Sequence, residues 1–286
     1  MTIVEEIQKL KQEKNAVILA HYYVRPEVQD IADYIGDSFY LSRVATELSE
    51  STIVFCGVSF MGESAKILNP DKTVLMPDPT ADCPMAHMIT ADRIAEVREE
   101  YEDLAVVCYV NSTAEIKAVS DVCVTSSNAV KVVSNIPQKN IFFVPDNNLG
   151  RYVAEKLPEK HFIFHDGFCH VHKSIHAAEL QAAKDACPDA LVLTHPECTE
   201  DVVAMSDFVG STSEIIDFAT QSDCKKFIIC TEMGVFFELQ QKNPDKKFYS
   251  VGHRQFCPNM KKVTIDKVEQ VLEKLGSGEL EEITLS

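Results

Sequence analysis

Gly62-Glu-Ser-Ala-Lys-Ile-Leu-Asn-Pro-Asp-Lys-Thr-Val-Leu-Met76, Gly150-Arg-Tyr-Val-Ala-Glu-Lys-Leu-Pro-Glu-Lys-His-Phe-Ile-Phe164 and Gly234-Val-Phe-Phe-Glu-Leu-Gln-Gln-Lys-Asn-Pro-Asp-Lys-Lys-Phe248 follow one script. Each reads as a glycine, a helical stretch, a turn marked by Asn or Pro, and a short apolar strand. A cysteine follows each, Cys83, Cys169 and Cys257, at 21, 19 and 23 residues past the glycine. The cysteines themselves are 86 and 88 residues apart. Self-similarity at a nearly fixed period marks a repeated structural unit. A unit that ends three times on a thiol can bring three thiolates to a common axis, so the repeat predicts one three-Cys metal or cluster site.

Outward from these segments, short runs rich in Val, Ile, Phe and Leu alternate with helical periodicity, the signature of βα units and a mostly parallel sheet. Strands are predicted over Ala16–Ala20, Thr52–Cys56, Thr73–Met76, Ala105–Val110, Val122–Thr125, Ile141–Val144, His161–Phe164, Ala190–Thr194, Phe208–Val209, Lys226–Cys230 and Phe248–Ser250. Helices are predicted over Glu5–Lys14, Val28–Ser49, Glu63–Asn69, Ala91–Tyr101, Ala114–Asp121, Ser127–Asn135, Ile175–Ala186, Ser213–Gln221 and Ile265–Leu275. The fold class is therefore α/β. The period divides the chain into units 1–86, 87–172 and 173–286, the last with a C-terminal helix, and no long Gly/Ser/Pro linker separates them.

Composition narrows the function. With 27 basic against 44 acidic side chains, a net charge of −17 and no basic stripe, nucleic acid and anionic membrane are poor partners. The longest apolar run, Leu104–Val110, is far short of a membrane span, and Met1–Asn15 reads as a charged amphipathic helix without a cleavable apolar core. The expected location is the cytosol. Ten cysteines in a reducing compartment are not a disulfide framework, and Cys56, Cys108 and Cys230 on apolar strands read as small buried hydrophobes.

The first strand of each unit ends in polar residues: His21-Tyr22-Tyr23, Tyr109-Val110-Asn111 and His195-Pro196-Glu197. Ligands of parallel sheets gather beyond strand carboxyl ends, so these three ends are expected to converge beside the cysteines. A hydroxyl at a helix start follows each: Asp37-Ser38, Ser126-Ser127 and Ser211-Thr212. Capped helix N-termini bind anions through free amides, which lets an acidic protein hold a polyanionic small molecule. Cys83-Pro84, Cys169-His170 and Cys257-Pro258 lie in loops, and the chain has no CxxC pair of the kind structural zinc uses. Three isolated thiolates suit a [4Fe–4S] cluster with one iron left open to act as a Lewis acid. A competing metal reading uses His172 and His176 at helical spacing, though without the metalloprotease glutamate. Gly57-Val-Ser-Phe-Met-Gly62-Glu63 departs from a phosphate loop by placing a carboxylate where lysine belongs.

In order along nearly the whole chain, Ala20-His21-Tyr22-Tyr23, Gln29-Asp30-Ile31-Ala32-Asp33, Gly36-Asp37-Ser38, Asp82-Cys83-Pro84-Met85-Ala86, Tyr109-Val110-Asn111-Ser112-Thr113, Thr125-Ser126-Ser127-Asn128, His195-Pro196-Glu197-Cys198, Gly210-Ser211-Thr212 and Asn259-Met260-Lys261-Lys262 resemble the motifs of the quinolinate synthase family. The resemblance implies three αβα domains related by a pseudo-threefold around one central [4Fe–4S] cluster held by Cys83, Cys169 and Cys257. It implies condensation of iminoaspartate with dihydroxyacetone phosphate to quinolinate, phosphate and water in de novo NAD biosynthesis, with an aspartate-oxidising enzyme upstream. Under it Tyr23, Glu197, His21 and His195 are the candidates for moving protons. The substrate-binding candidates are His21, Ser38, Tyr109, Val110, Asn111, Ser126, His195, Pro196, Glu197, Ser211 and Thr212. Another cluster-dependent hydro-lyase acting on a small hydroxy acid, or a metal-sensing module, would share the cysteines but not the other motifs.

Overall fold

A computed structural model describes residues 2–253 and 255–285. Twelve strands among the described residues form three four-stranded sheets, and every neighbouring pair runs parallel. The first sheet holds β1 (Ala16–His21), β2 (Tyr34–Gly36), β3 (Thr52–Cys56) and β4 (Thr73–Leu75) in the order β2-β1-β3-β4. β5 (Leu104–Tyr109), β6 (Val122–Val124), β7 (Asn140–Val144) and β8 (His161–Phe164) repeat that order in the second. β9 (Leu191–Thr194), β10 (Phe208–Val209), β11 (Lys226–Cys230) and β12 (Lys247–Ser250) repeat it in the third. Helices flank the sheets, so central strands are covered on both faces and read as unbroken apolar runs; β1 and β3 are buried along their whole length.

Two compact units contain these sheets. Met1–Cys83 with Cys257–Ser286 carries the first, and Pro84–Phe256 carries the second and third. In the first unit the C-terminal helix Ile265–Lys274 lies along the N-terminal helix Ile3–Glu13, with Lys14 Nζ donating to the Leu275 carbonyl at 2.8 Å.

Register makes the repeat exact at the strand ends. Ala20 pairs with Cys56, Cys108 with Val144 and Thr194 with Cys230, so the next residues, His21, Tyr109 and His195, are equivalent. An aspartate just before the second strand of each sheet sets this register. Its amide donates to the first strand and its carboxylate accepts from the same residue: Asp33 with Ile18, Asp121 with Val106, Asp207 with Val192, the accepting bonds being 2.7–2.8 Å.

β2 corrects the prediction of one helix over Val28–Ser49. That stretch is a short helix Pro26–Asp30, the strand Tyr34–Gly36 and a helix Ser38–Glu47 capped by Asp37. Three residues have little strand propensity of their own, and it is the Asp33 bonds to β1 that fix them as a strand. The glycine alignment is corrected as well. Gly62 and Gly150 lie inside helices Ser59–Leu68 and Asn147–Lys156, whereas Gly234 is the N-cap of helix Val235–Lys242. A Cβ at Gly62 would stand 2.7 Å from the Met76 sulfur, and one at Gly150 would stand 3.0 Å from the Phe143 ring, so in these two units glycine lets the helix settle onto its sheet.

The element that does recur in all three units is a lysine before the fourth strand. Lys72 Nζ donates to the carbonyls of Ala45 and Leu48, and Lys160 to those of Ile136 and Gln138. Lys246, buried, donates to Ala219, Thr220 and Ser222 at 2.6, 3.1 and 2.8 Å. Lys72 and Lys246 satisfy carbonyls left open where a helix ends, their charge complementing the negative end of the helix dipole, whereas Lys160 holds the segment that follows helix Ala129–Ser134.

Candidate active site

A sheet ordered 2-1-3-4 reverses its direction of winding between its first and third strands, and that crevice is where parallel sheets take ligands. In the second unit two such crevices share side chains. Beyond β9, His195-Pro196-Glu197 forms a tight turn in which the Glu197 amide donates to His195 Nδ1 at 3.3 Å. An imidazole that accepts at Nδ1 carries its proton on Nε2. Both residues are buried, His195 at 4% exposure and Glu197 at 3%. The Glu197 carboxylate meets His172 Nδ1 at 2.6 Å, and His172 Nε2 meets the Thr231 hydroxyl, just past β11, at 2.8 Å. The His172 and His195 rings stack at 4.6 Å.

The second sheet completes the constellation. Asn111, past β5, brings Nδ2 to 3.4 Å from Glu197 Oε1, and Asn148 Nδ2 donates to the Glu197 carbonyl at 3.0 Å. Asn111 Oδ1 is buried with no partner among the described residues. A buried acceptor without a donor is costly, and a ligand N–H or O–H would relieve that cost. Past β7 the fully buried Asp146 caps helix Asn147–Lys156 through the Leu149 amide (2.7 Å) and also accepts from the Cys169 amide (3.1 Å).

Charge is distributed sharply here. Burial works against ionising Glu197, but the His172 and His195 imidazoles and the Tyr109 hydroxyl beside it hold its pKa down at about 2. Burial drives His195 down to about 3, which the Glu197 carboxylate only partly offsets. Asp146 is pushed well up, by burial first and then by the Glu197 charge. At neutral pH the pocket therefore presents a carboxylate and a neutral imidazole. Cys169, His172 and Glu197 each offer a ligand atom within 4.8 Å of the others, so this set could hold a metal ion.

The first unit shows the same local device. His21, buried at the end of β1, accepts the Tyr23 amide at Nδ1 (3.1 Å), and its ring meets the Tyr23 ring edge-on at 4.5 Å. Lys261 Nζ donates to the Tyr23 carbonyl, and Arg25 Nε donates to the Lys261 carbonyl at 2.8 Å. Lys262 reaches the Thr80 carbonyl (2.7 Å) and Lys267 the Asp78 carboxylate (2.6 Å), which ties the loops bearing Cys83 and Cys257 together.

Residues 5–286 match the family described as quinolinate synthetase A protein. The chain belongs to this enzyme family. Among curated relatives, the quinolinate synthase of Caldicellulosiruptor saccharolyticus is 54% identical over 270 residues, 94% of this chain and 89% of the relative. That of Fusobacterium nucleatum is 53% identical over 277 residues, covering 97% and 92%, and that of Clostridioides difficile 50% over 270 residues, covering 94% and 89%.

With the family in hand, the thiols sort by position. Cys83, Cys169 and Cys257 are half-buried and follow the fourth strand of their own sheets by 8, 5 and 7 residues. Cys187 caps a helix C-terminus and Cys224 precedes β11, so both lie at the amino ends of the strands. Cys198 does lie past a strand end, but burial pushes its thiol pKa up, as it does for Cys56 and, to about 12, for Cys230. Cys83, Cys169 and Cys257 thus combine access with a ligand-end position, which fits a thiolate-bound group.

The hydroxyls divide. Ser38 and Thr212 open helices, but Ser211 is the N-cap: its hydroxyl accepts from Glu214 and its amide donates to the Glu214 carboxylate, a closed capping box. Ser126 lies before helix Ala129–Ser134, half-buried; Val110 and Pro196 are buried wall residues. The His172/His176 chelate is overturned. The helix carrying His172 ends at Lys173, His176 is the exposed N-cap of the next, and His172 is engaged by Glu197 and Thr231. Thr231 and Asp146 are the site residues that sequence reasoning missed, and His172 was weighed only as a metal ligand paired with His176. For Thr231 the signal was present: it follows the third strand of its unit, as Gly57 and Pro145 follow theirs.

No helix among the described residues is long and apolar enough to cross a membrane.

Proposed function

We propose that the chain is a quinolinate synthase that condenses iminoaspartate with dihydroxyacetone phosphate to quinolinate, phosphate and two waters, serving NAD biosynthesis in the cytoplasm. The observation that carries this reading is the buried Glu197 constellation with its open acceptor, Asn111 Oδ1, in a chain matched to the family over residues 5–286. Building the pyridine ring needs phosphate loss, tautomerisation, imine and carbon–carbon bond formation and dehydration, with no net redox change. Proton movement is what the protein must supply. Glu197, held ionised, accepts a proton at a carboxylate oxygen. Tyr23 exchanges one at its hydroxyl. His195 and His21, each carrying its proton on Nε2, donate hydrogen bonds to carboxylate or carbonyl oxygens. Asn111 receives an N–H or O–H of the bound molecule, and Tyr109, Val110 and Pro196 exclude water. Ser38, Ser126 and Thr212 offer hydroxyls and amides to the anionic groups, with Ser211 keeping one helix start in shape.

Cys83, Cys169 and Cys257 are proposed as the ligands of a single [4Fe–4S] cluster, one from each repeat unit 1–86, 87–172 and 173–286. The support is their equivalent place after the fourth strand of each sheet and the exclusion by burial or position of Cys56, Cys187, Cys198, Cys224 and Cys230. When bound, the cluster supplies an iron without a protein ligand as a Lewis acid for a departing hydroxyl. An aspartate-oxidising enzyme is the proposed source of iminoaspartate.

The test is strictly anaerobic reconstitution with iron and sulfide, followed by assay of quinolinate from the two substrates. Replacing Cys83, Cys169 or Cys257 by Ser should abolish the broad visible absorption and turnover; Cys56→Ser and Cys187→Ser should not. Loss of the cluster from Cys187→Ser with retention in Cys169→Ser would overturn the ligand assignment.

A further inference from the structure

Ten cysteines are distributed over the chain, and two of them, outside the proposed site, face one another. Cys108 on β5 and Cys123 on β6 are direct register partners on adjacent parallel strands, so their side chains lie on the same face of the second sheet. Neighbouring strands stand about 4.8 Å apart, inside the roughly 4.4–6.8 Å that a disulfide spans between Cα atoms. The two thiols are close enough that each shifts the titration of the other. Their exposure is opposite: Cys123, on the edge strand, is exposed, whereas Cys108 is fully buried in the core with Ile94, Ile116 and Val144.

We propose that Cys108 and Cys123 form a redox-active dithiol, which a low-molecular-weight disulfide converts to an intramolecular bridge across β5 and β6. Cys123 is the attacking thiol. The neighbouring Cys108 thiol and the Lys117 ammonium bring its pKa down to about 7. Cys108, raised by the Cys123 sulfur beside it and by burial, stays protonated and resolves the second step. This is the arrangement of redox-sensing thiols, an accessible low-pKa sulfur beside a resolving one. In the first step the Cys123 thiolate attacks one sulfur of the reagent, forms a mixed disulfide and expels one thiolate, which takes up the proton Cys123 lost. In the second, Cys108 gives up its proton and attacks the Cys123 sulfur, and the second half of the reagent leaves as a thiol. Two protein thiols are oxidised and one reagent disulfide is reduced to two thiols.

The bridge acts on the proposed site through one residue. Cys108 directly precedes Tyr109; its Sγ lies 3.3 Å from the Tyr109 carbonyl, which also accepts from the Ser112 hydroxyl at 2.9 Å. Drawing Cys108 toward the edge strand shifts the end of β5 that carries Tyr109 and Asn111. This second consequence rests on the proposed activity; the bridge itself does not.

Cluster-loaded protein is incubated anaerobically with glutathione disulfide, alkylated and digested with trypsin, which separates Glu99–Lys117 from Ala118–Lys131. The expected product is a linked pair of these peptides, two hydrogens lighter than their sum and absent after dithiothreitol. Cys108→Ser should instead retain glutathione on Cys123, and Cys123→Ser should leave Cys108 unreacted. A glutathione adduct persisting on Cys123 of the wild type, or labelling of Cys187 and Cys224 with no linked peptide, would overturn the dithiol. Quinolinate turnover should fall as the linked pair accumulates and recover on reduction, with Cys123→Ser insensitive. Linked protein with unchanged turnover would overturn the coupling to Tyr109. No turnover before oxidation would sink the proposed activity and leave the peptide result standing.

Discussion

His195→Asn offers the sharpest test of the charge pattern in the second unit. The Asn side-chain oxygen can take over the Glu197 amide bond, but Asn does not titrate. In the folded chain burial holds the His195 pKa at about 3, against an unfolded value of about 6.5. A depressed folded pKa means the neutral form is the one that folds, so its contribution to stability is present above pH 6.5 and lost as pH falls through 3. Between pH 6.5 and 4.5 the linkage integral gives about 2 kcal/mol of stability lost on account of this one proton. That window lies above the range in which Glu197, whose pKa is about 2, changes charge on unfolding. His170, whose pKa is also lowered by burial, titrates equally in both proteins and cancels. The assay is urea unfolding at half-unit pH intervals. The variant loses the stacked ring at every pH and so starts lower, but its stability should decline by about 2 kcal/mol less across the window. Parallel declines would mean that His195 is protonated in the folded state and would remove the neutral-donor role.

Tyr23→Phe and Glu197→Gln should each reduce turnover by about 10²–10⁴-fold, the usual contribution of a general acid–base group, with iron content unchanged; near-normal turnover in both would exclude them from the chemistry. Their melting behaviour should differ, because Glu197 is buried against His172 whereas Tyr23 is half-exposed, so only Glu197→Gln should shift the midpoint. Lys246→Met strands three carbonyls at the end of helix Thr212–Gln221 and should cost about 3–5 kcal/mol by urea unfolding. The exposed neighbour Lys247→Met should stay within about 0.5 kcal/mol; equal effects would refute the capping role.

The repeat was legible because strands such as Ile53–Phe55 and Ile228–Cys230 are apolar on both faces, and the half-buried thiols stood out by their loop setting. β2 was not, since Tyr34–Gly36 carries no pattern of its own and is a strand through Asp33 and β1. The period could have found it: of the residues that open the equivalent strands, Phe208 lies 86 after Val122 and Tyr34 lies 88 before it. Likewise Pro70-Asp-Lys72, Pro158-Glu-Lys160 and Pro244-Asp-Lys246 align the units better than the glycines do, because the lysine donates to backbone carbonyls in each while Gly234 is a helix N-cap and Gly62 and Gly150 lie inside helices. In the sequence His172 pairs with the wrong residue, His176, for a different reason. Its partners Glu197 and Thr231 are 25 and 59 residues away, and only the folded third sheet brings them together.

The three carbonyl-bound lysines have a consequence for recognition. Lys72, Lys160 and Lys246 are counter-ions to the backbone itself, committed to carbonyl oxygens and withdrawn from the supply of 27 cations in a chain of net charge −17. They cannot be recruited by a phosphate or carboxylate without releasing those carbonyls. At the proposed site an anion would be met by amides, hydroxyls and the neutral His195 imidazole, whose short-range dipoles salt screens far less than it screens paired charges. Selection then falls on shape and hydrogen-bond direction, and the long-range field of the protein contributes repulsion that only a correctly fitted anion overcomes.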